Sequence, residues 1–246
     1  MKIYKTPPQL LAKSYIGTTG RTVHETCYGS QEGRIAKLKA KGIGLLVNQE
    51  LLNGYDCYLC PVIQNGKIGF INSYAEIVIQ PQYDNITGEF TSPESMIVVC
   101  KDNKWGVLNT DGLEMLMGEY RSISLVGTQY AIVMNSEYQR GIIEVLTKKM
   151  TIPFGEYDSL DYYNNLLIAR KKLLKGLITP TGNLLTLIQY KWISGVEYGL
   201  LRVIIEEKTD DTVIKRWGLI DTQGNEILPA IYDNISTEVM EVWFMQ

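Results

Sequence analysis

Four residues of this chain have the spacing of a metal site. His24-x-x-Cys27 and Cys57-x-x-Cys60 offer one imidazole and three thiols in two pairs, the soft donor set that closes around tetrahedral zinc. Such a site would pin the N-terminal segment to the chain beyond it. Against it, Cys57 and Cys60 fall in an expected strand, Tyr55 to Ile63, where residues three apart face opposite sides. The competing reading is a set of small buried hydrophobes, a common fate of reduced cysteine, and no cofactor is expected. The order His24-Glu25 and the proline after Cys60 also depart from the His-x-Glu and Pro-Cys-x-x-Cys pattern of zinc deaminases.

Other chemistries find less. His24 is the single histidine, so a Ser-His-Asp triad would have to use it, and no Gly-x-Ser-x-Gly elbow supplies a nucleophile. Carboxylate pairs could run glycosidic chemistry. Yet Asp84, Asp158 and Asp233 each follow a tyrosine, and an aspartate recurring in this way suits a turn whose amides it accepts from. Gly17 to Thr22 bears glycines but lacks the spacing and lysine of a phosphate loop. No catalytic residue is expected. Trp105 and Trp217 could be ligand-stacking platforms, though the glycine beside each favours close packing, with the indole covering a chain that has no Cβ.

The charge balance points away from polyanions. Lysine and arginine number 24 against 27 acidic residues, a net of −3, which gives no footprint for nucleic acid or an anionic membrane. Uninterrupted apolar runs stop at about five residues, far short of the ~20 a membrane helix requires. Four cysteines in 246 residues are too few for a secreted disulfide scaffold, and no signal-like apolar segment opens the chain, so the expected setting is the cytoplasm. Sixteen tyrosines favour strands, because aromatic rings pack well on pleated surfaces.

What positions these residues is an internal repeat. Gly69, Gly106, Gly141, Gly176 and Gly218 each precede a pair of apolar residues and are separated by 37, 35, 35 and 42 residues. Tyr83, Tyr120, Tyr190 and Tyr232 each follow their glycine by 14 residues, and Tyr157 follows Gly141 by 16. Gly112, Gly182 and Gly224 come six residues after theirs, where a tight turn needs φ > 0. Tyr83 to Thr87 and Tyr232 to Ser236 share Tyr-Asp-Asn-Ile followed by a hydroxyl residue. A degenerate sixth copy could start at Gly44. Within each unit an apolar run (Met96 to Cys100, Ala131 to Met134, Leu166 to Ala169, Leu201 to Ile205) leads through a polar turn into the glycine-bearing strand. A further strand comes after it (Ile77 to Ile79, Glu114 to Met117, Leu184 to Ile188, Glu226 to Leu228), and Pro81, Pro153 and Pro229 are expected to end it.

These residues resemble the WG repeat, also called KWG, of bacterial proteins. Its pattern is a Trp/Lys-Gly strand, an Asp-x-x-Gly turn, a strand ending in Ile-Pro, then Tyr-Asp. Lys104-Trp105-Gly106 with Thr110-Asp111-Gly112 matches the head of that pattern. Arg216-Trp217-Gly218 through Pro229 to Tyr232-Asp233 matches nearly all of it. The copies at Gly141 and Gly176 lack the tryptophan, with Arg140 and Lys175 in its place. The resemblance implies an interaction module without an active site.

Residues 1–43 lie outside the period. Gln31 to Lys41 reads as a helix ended by Gly42, with Ser30 as N-cap, Glu32 early, bases late, and Ile35 and Leu38 as its apolar face. It would cap the first repeat, as stacked repeats require. Residues 44–246 would then be the β repeats. The fold expected is all-β, tandem antiparallel hairpin or meander units in an open solenoid-like stack, the alternative being a closed propeller-like ring. The apolar C-terminal run Val239 to Gln246 would need cover, from a partner or by self-association. The functional expectation is a non-catalytic module binding another protein. Behind it stand carbohydrate or cell-envelope binding through exposed aromatics, then a zinc-dependent protein.

Overall fold

Short apolar runs of period two, separated by Asn, Asp and Gly, make strands that turn back on their neighbours. In the computed structural model, which describes residues 31–45, 58–72, 74–209 and 212–236, the result is all-β apart from one helix. Contacts divide the chain into two compact units, Met1–Thr128 and Gln129–Gln246.

The first described element of the first unit is helix α1 (Gln31–Ala40). Gly42 at φ +69° closes it: the Gly42 amide donates to Lys39 O and the Ile43 amide to Leu38 O, the paired bonds of a glycine-ended helix. Leu38 and Ile43 meet on the far side of that turn, buried with Cys60, Val62 and Ile71. These last three belong to the first sheet, ordered β1 (Gly44–Leu45), β2 (Cys60–Gln64), β3 (Lys67–Ile71) and β4 (Ile77–Tyr83). The second sheet holds β5 (Asn85–Thr87), β6 (Met96–Lys101), β7 (Lys104–Asn109) and β8 (Glu114–Gly118). The two sheets bury a common core of Ile68, Phe70, Ile79 and Tyr83 against Phe90, Ile97, Val99 and Leu108. Strand β9 (Ser122–Val126) comes last in this unit.

The second unit begins with the antiparallel strands β10 (Tyr130–Met134), β11 (Arg140–Glu144) and β12 (Lys149–Ile152) of the third sheet. The fourth sheet is made of β13 (Ser159–Tyr163), β14 (Leu166–Lys171) and β15 (Leu174–Ile178). The fifth is β16 (Trp192–Ile193), β17 (Leu200–Lys208), β18 (Val213–Asp221) and β19 (Glu226–Tyr232). Leu166, Ile168 and Leu177 of the fourth sheet pack on Ile193, Leu201, Val203 and Ile220 of the fifth.

One device explains the repeated glycine. At each of the five, a Cβ would stand closer than 3 Å to the backbone of the next segment in the chain: 2.5 Å from Ile79 O at Gly69, 2.4 Å from Leu116 O at Gly106, 2.7 Å from Ile152 O at Gly141, 2.7 Å from Leu187 O at Gly176 and 2.9 Å from Leu228 O at Gly218. In the first and last sheets the pairing shifts there, from Ile68↔Tyr83 to Phe70↔Ile79 and from Trp217↔Tyr232 to Leu219↔Leu228. Such a bulge puts several residues of one strand against one of the other. The cover over the glycine is therefore backbone, not indole as the sequence suggested.

Pro153 directly follows the end of β12, as expected, but the bulge corrects the role of the other two prolines. Pro81 and Pro229 lie inside β4 and β19 rather than ending them, because a bulged residue owes no amide to the ladder. The strand expected at Leu184 to Ile188 is absent, leaving only a bridge from Ile178 to Leu184. There the Thr186 hydroxyl accepts the Leu177 amide at 2.9 Å, a ladder position that a backbone carbonyl would otherwise fill. The remaining turns obey the sequence. Asn72, Asn109 and Asp221, each three residues after a repeat glycine, accept two backbone amides apiece in the next four residues. Asp102 and Asn103 both take positive φ, as a two-residue hairpin turn demands.

Candidate interaction surface

Of the four residues with metal-site spacing, His24, Cys27 and Cys57 lie outside the described residues. Cys60 opens β2 and is buried in the apolar group around Leu38. Among the described residues no three His, Cys, Asp or Glu side chains gather as metal ligands. The C-terminal run Val239 to Gln246 is also outside the described residues. No helix among them is long and apolar enough to cross a membrane.

The recurring aspartates accept bonds at the ends of their sheets, and Asp84 ties the first sheet to the second. Asp84 accepts Lys67 Nζ at 2.5 Å and, from the second sheet's hairpin, the Asp102 amide at 2.8 Å. Asp158 accepts the Lys172 amide at 2.8 Å in the same way. Hydrogen bonds from Lys67 and then from the Asp102 amide hold the Asp84 carboxyl below its ordinary range. The bond to Asp84 likewise raises Lys67. Both groups are open to water, so the pair fixes geometry more than it stabilises. These contacts give the aspartates a positional task.

The residue before each repeat glycine belongs to a row that runs across its sheet. In the first sheet this row is Ile63, Ile68 and Tyr83, and Ile68 and Tyr83 lie in the core shared with the second sheet. Tyr83 is 0 % exposed and donates to Glu114 Oε1 across the sheets at 3.4 Å. Burial first, then Glu114, pushes its hydroxyl up to about 12. In the fifth sheet the corresponding row is Trp192, Ile204, Trp217 and Tyr232, aligned by register across all four strands. Trp192 and Trp217 meet edge to face, 5.8 Å between centroids. Here Trp192 is 36 % and Tyr232 42 % exposed. Beside the row Leu219 is buried with Ile235, and Trp217 and Leu228 pack against them. Arg216 at the strand's edge pairs with Asp233 and Glu207.

Trp192 carries none of the repeat markers read from the sequence. It stands two residues after Tyr190, the place Asn85 holds after Tyr83, so comparing that offset in every copy is the signal that finds it. Trp105 has a different setting. With Tyr120, Asp102, Asn103, Lys104, Glu119 and Arg121 it lines an open depression of about 470 Å³ in the first unit.

The profile of a family described as WG containing repeat matches residues 68–105 and 217–237, and the chain carries this repeat there. No curated protein sequence matches the chain. Among solved structures it is similar to KlHsv2 with loop 6CD replaced by a Gly-Ser linker, at 8 % identity and TM-score 0.40, covering 69 % of this chain and 60 % of that one. A eukaryotic initiation factor gives 9 % identity and TM-score 0.41, covering 70 % and 51 %. The C-terminal WD40 domain of Sif2 gives 14 % identity and TM-score 0.32, covering 66 % and 54 %. The chain thus spans between half and three fifths of these three structures.

Proposed function

We propose that this chain, a β-repeat protein carrying WG containing repeats, is a non-catalytic module that binds another protein through the aromatic row of its fifth sheet. One observation carries the reading. The row Trp192, Ile204, Trp217 and Tyr232 corresponds to a row that in the first sheet is buried under its neighbour, yet here its two outer aromatics are open to water. Tryptophan and tyrosine are the residues most often found to anchor protein interfaces, and a four-strand sheet holds them at fixed spacing. The recurring polar residues are taken up by turns and sheet-to-sheet bonds, which supports a scaffold rather than an enzyme.

Affinity capture from the native cell, comparing the parent with a Trp192→Ala/Tyr232→Ala double variant, tests it. Both residues are more than a third exposed, so the melting temperature should hold while recovery of the partner falls at least tenfold. Undiminished recovery would refute the reading. As a control, Leu146→Ala changes a still more exposed apolar residue elsewhere and should leave capture intact.

A second reading rests on the Trp105 depression, where an aromatic ring beside Glu119, Arg121 and Asn103 suits a sugar's apolar face and hydroxyls. Binding on a glycan array that vanishes in Trp105→Ala would favour it.

A further inference from the structure

We propose that Arg170 and Lys175 hold a small oxyanion of the phosphate class between the fourth and fifth sheets. Lys175 occupies the place before Gly176 that Trp105 and Trp217 hold in their copies. Register sets Arg170 directly opposite it on β14 and Ser159 beyond that on β13. Both cations share a face with Leu166, Ile168 and Leu177, the residues packed on the fifth sheet. Like charges directly opposite one another on a sheet are destabilising. Neither makes an ion pair among the described residues, and Arg170 Nε is buried without a hydrogen-bond partner. A buried donor left unmade costs more than a made bond returns, so it calls for an acceptor.

The neighbouring cations show what is missing. Arg140, in the same repeat place one copy earlier, donates to Leu160 O and to Asp161 Oδ1 of the next sheet, each at 2.8 Å. Lys171 has Glu156 at 3.0 Å, and Arg202 reaches Glu197 at 3.4 Å through a terminal nitrogen, although its Nε, like that of Arg170, is buried without a partner. Leu160 and Ile193 hold equivalent positions, opposite Ala169 and Val203, which in turn oppose Gly176 and Gly218. The residue after each is Asp161 in the fourth sheet and Ser194 in the fifth. Where Arg140 meets a carboxylate, the equivalent position for Lys175 holds the buried Ser194, whose hydroxyl is bonded to Gly195 O and the Arg202 amide. A doubly charged oxyanion supplies the absent charge and enough acceptors for both, with guanidinium binding in its planar fork and ammonium as a point charge.

The test uses the full chain, titrated with sodium phosphate and sulfate against sodium chloride at matched ionic strength. Phosphate at about 20 mM should raise the melting temperature by ~2–4 °C over chloride. The rise should disappear in Arg170→Gln and in Lys175→Gln, and persist in Lys148→Gln, a cation on a separate turn. Phosphate that behaves like chloride, or a rise retained in both variants, overturns the proposal and leaves water as the acceptor. Should the variants fail to fold, calorimetry on the parent decides: heat saturating at one equivalent of phosphate supports the site, and none refutes it.

Discussion

Tyr83-Asp84-Asn85-Ile86-Thr87 and Tyr232-Asp233-Asn234-Ile235-Ser236 are nearly one sequence in two surroundings. After the first sheet, Tyr83 is sealed, Asp84 takes an amide from the next hairpin, and Asn85–Thr87 becomes the first strand of the second sheet. After the fifth sheet, Tyr232 is 42 % exposed, Asp233 bonds Arg216 alone among the described residues, and Ile235 folds back among Leu219, Trp217 and Leu228. The local motif is therefore neutral about its own burial. The neighbouring sheet decides it, as tertiary context decides most strand preferences.

The sharpest way to break this comparison is truncation of the two tyrosines. Tyr83→Ala should cost about 3–5 kcal/mol, as for other large buried rings, whereas Tyr232→Ala should cost under about 1 kcal/mol. Denaturant melts of both variants measure this, and equal losses would show the second site to be covered as well. Next come the glycines, which test what the two sheets share. Gly69→Ala and Gly218→Ala should each lose about 2–3 kcal/mol, since the added methyl meets backbone that cannot swing aside. A marked inequality would mean that only one bulge is rigid.

Alkaline titration separates the sites by charge. The Tyr83 hydroxyl is raised in the folded chain to about 12 from 10.0, so its stability is present below pH 10 and drains away as pH climbs toward 12. Melting temperature should fall over that window in the parent and less in Tyr83→Phe. The smallest effect belongs to the aspartates. Asp84 is lowered, so its contribution is present above the ordinary carboxylate range and lost as pH falls through its folded value. Asp84→Asn should flatten the acid limb of a melting profile, since it removes the acceptor of Lys67 and of the amide from the neighbouring hairpin.

Much of this architecture was legible in the residues. The spacing of Gly69, Gly106, Gly141, Gly176 and Gly218 marked five copies because one steric need recurs at each. The helix end at Gly42 and the turns at Gly112, Gly182 and Gly224 could be read because positive φ is a local demand. Pro81 misled because a bulge is a property of two strands, and no single strand displays it. Leu184 to Ile188 misled because Thr186 competes with the backbone for the Leu177 amide, a contest that an apolar pattern hides. The open row on the fifth sheet could not be foreseen from Trp217 alone. Its exposure depends on what lies above it, and its breadth on Trp192, which no copy of the glycine motif contains.

The fifth sheet's hairpin shows where a copy has freedom to grow. Its two middle strands run nine residues each, Leu200–Lys208 and Val213–Asp221, against five or six in the second and fourth sheets. The added length lies on the side of Gly218 away from the Asp221 turn. The bulge works like a clamp on a ruler, fixing the zero while the free end is drawn out. Insertions between Thr209 and Thr212 should therefore be silent to the rest of the sheet, which makes that tip the natural place to graft a tag or a foreign loop.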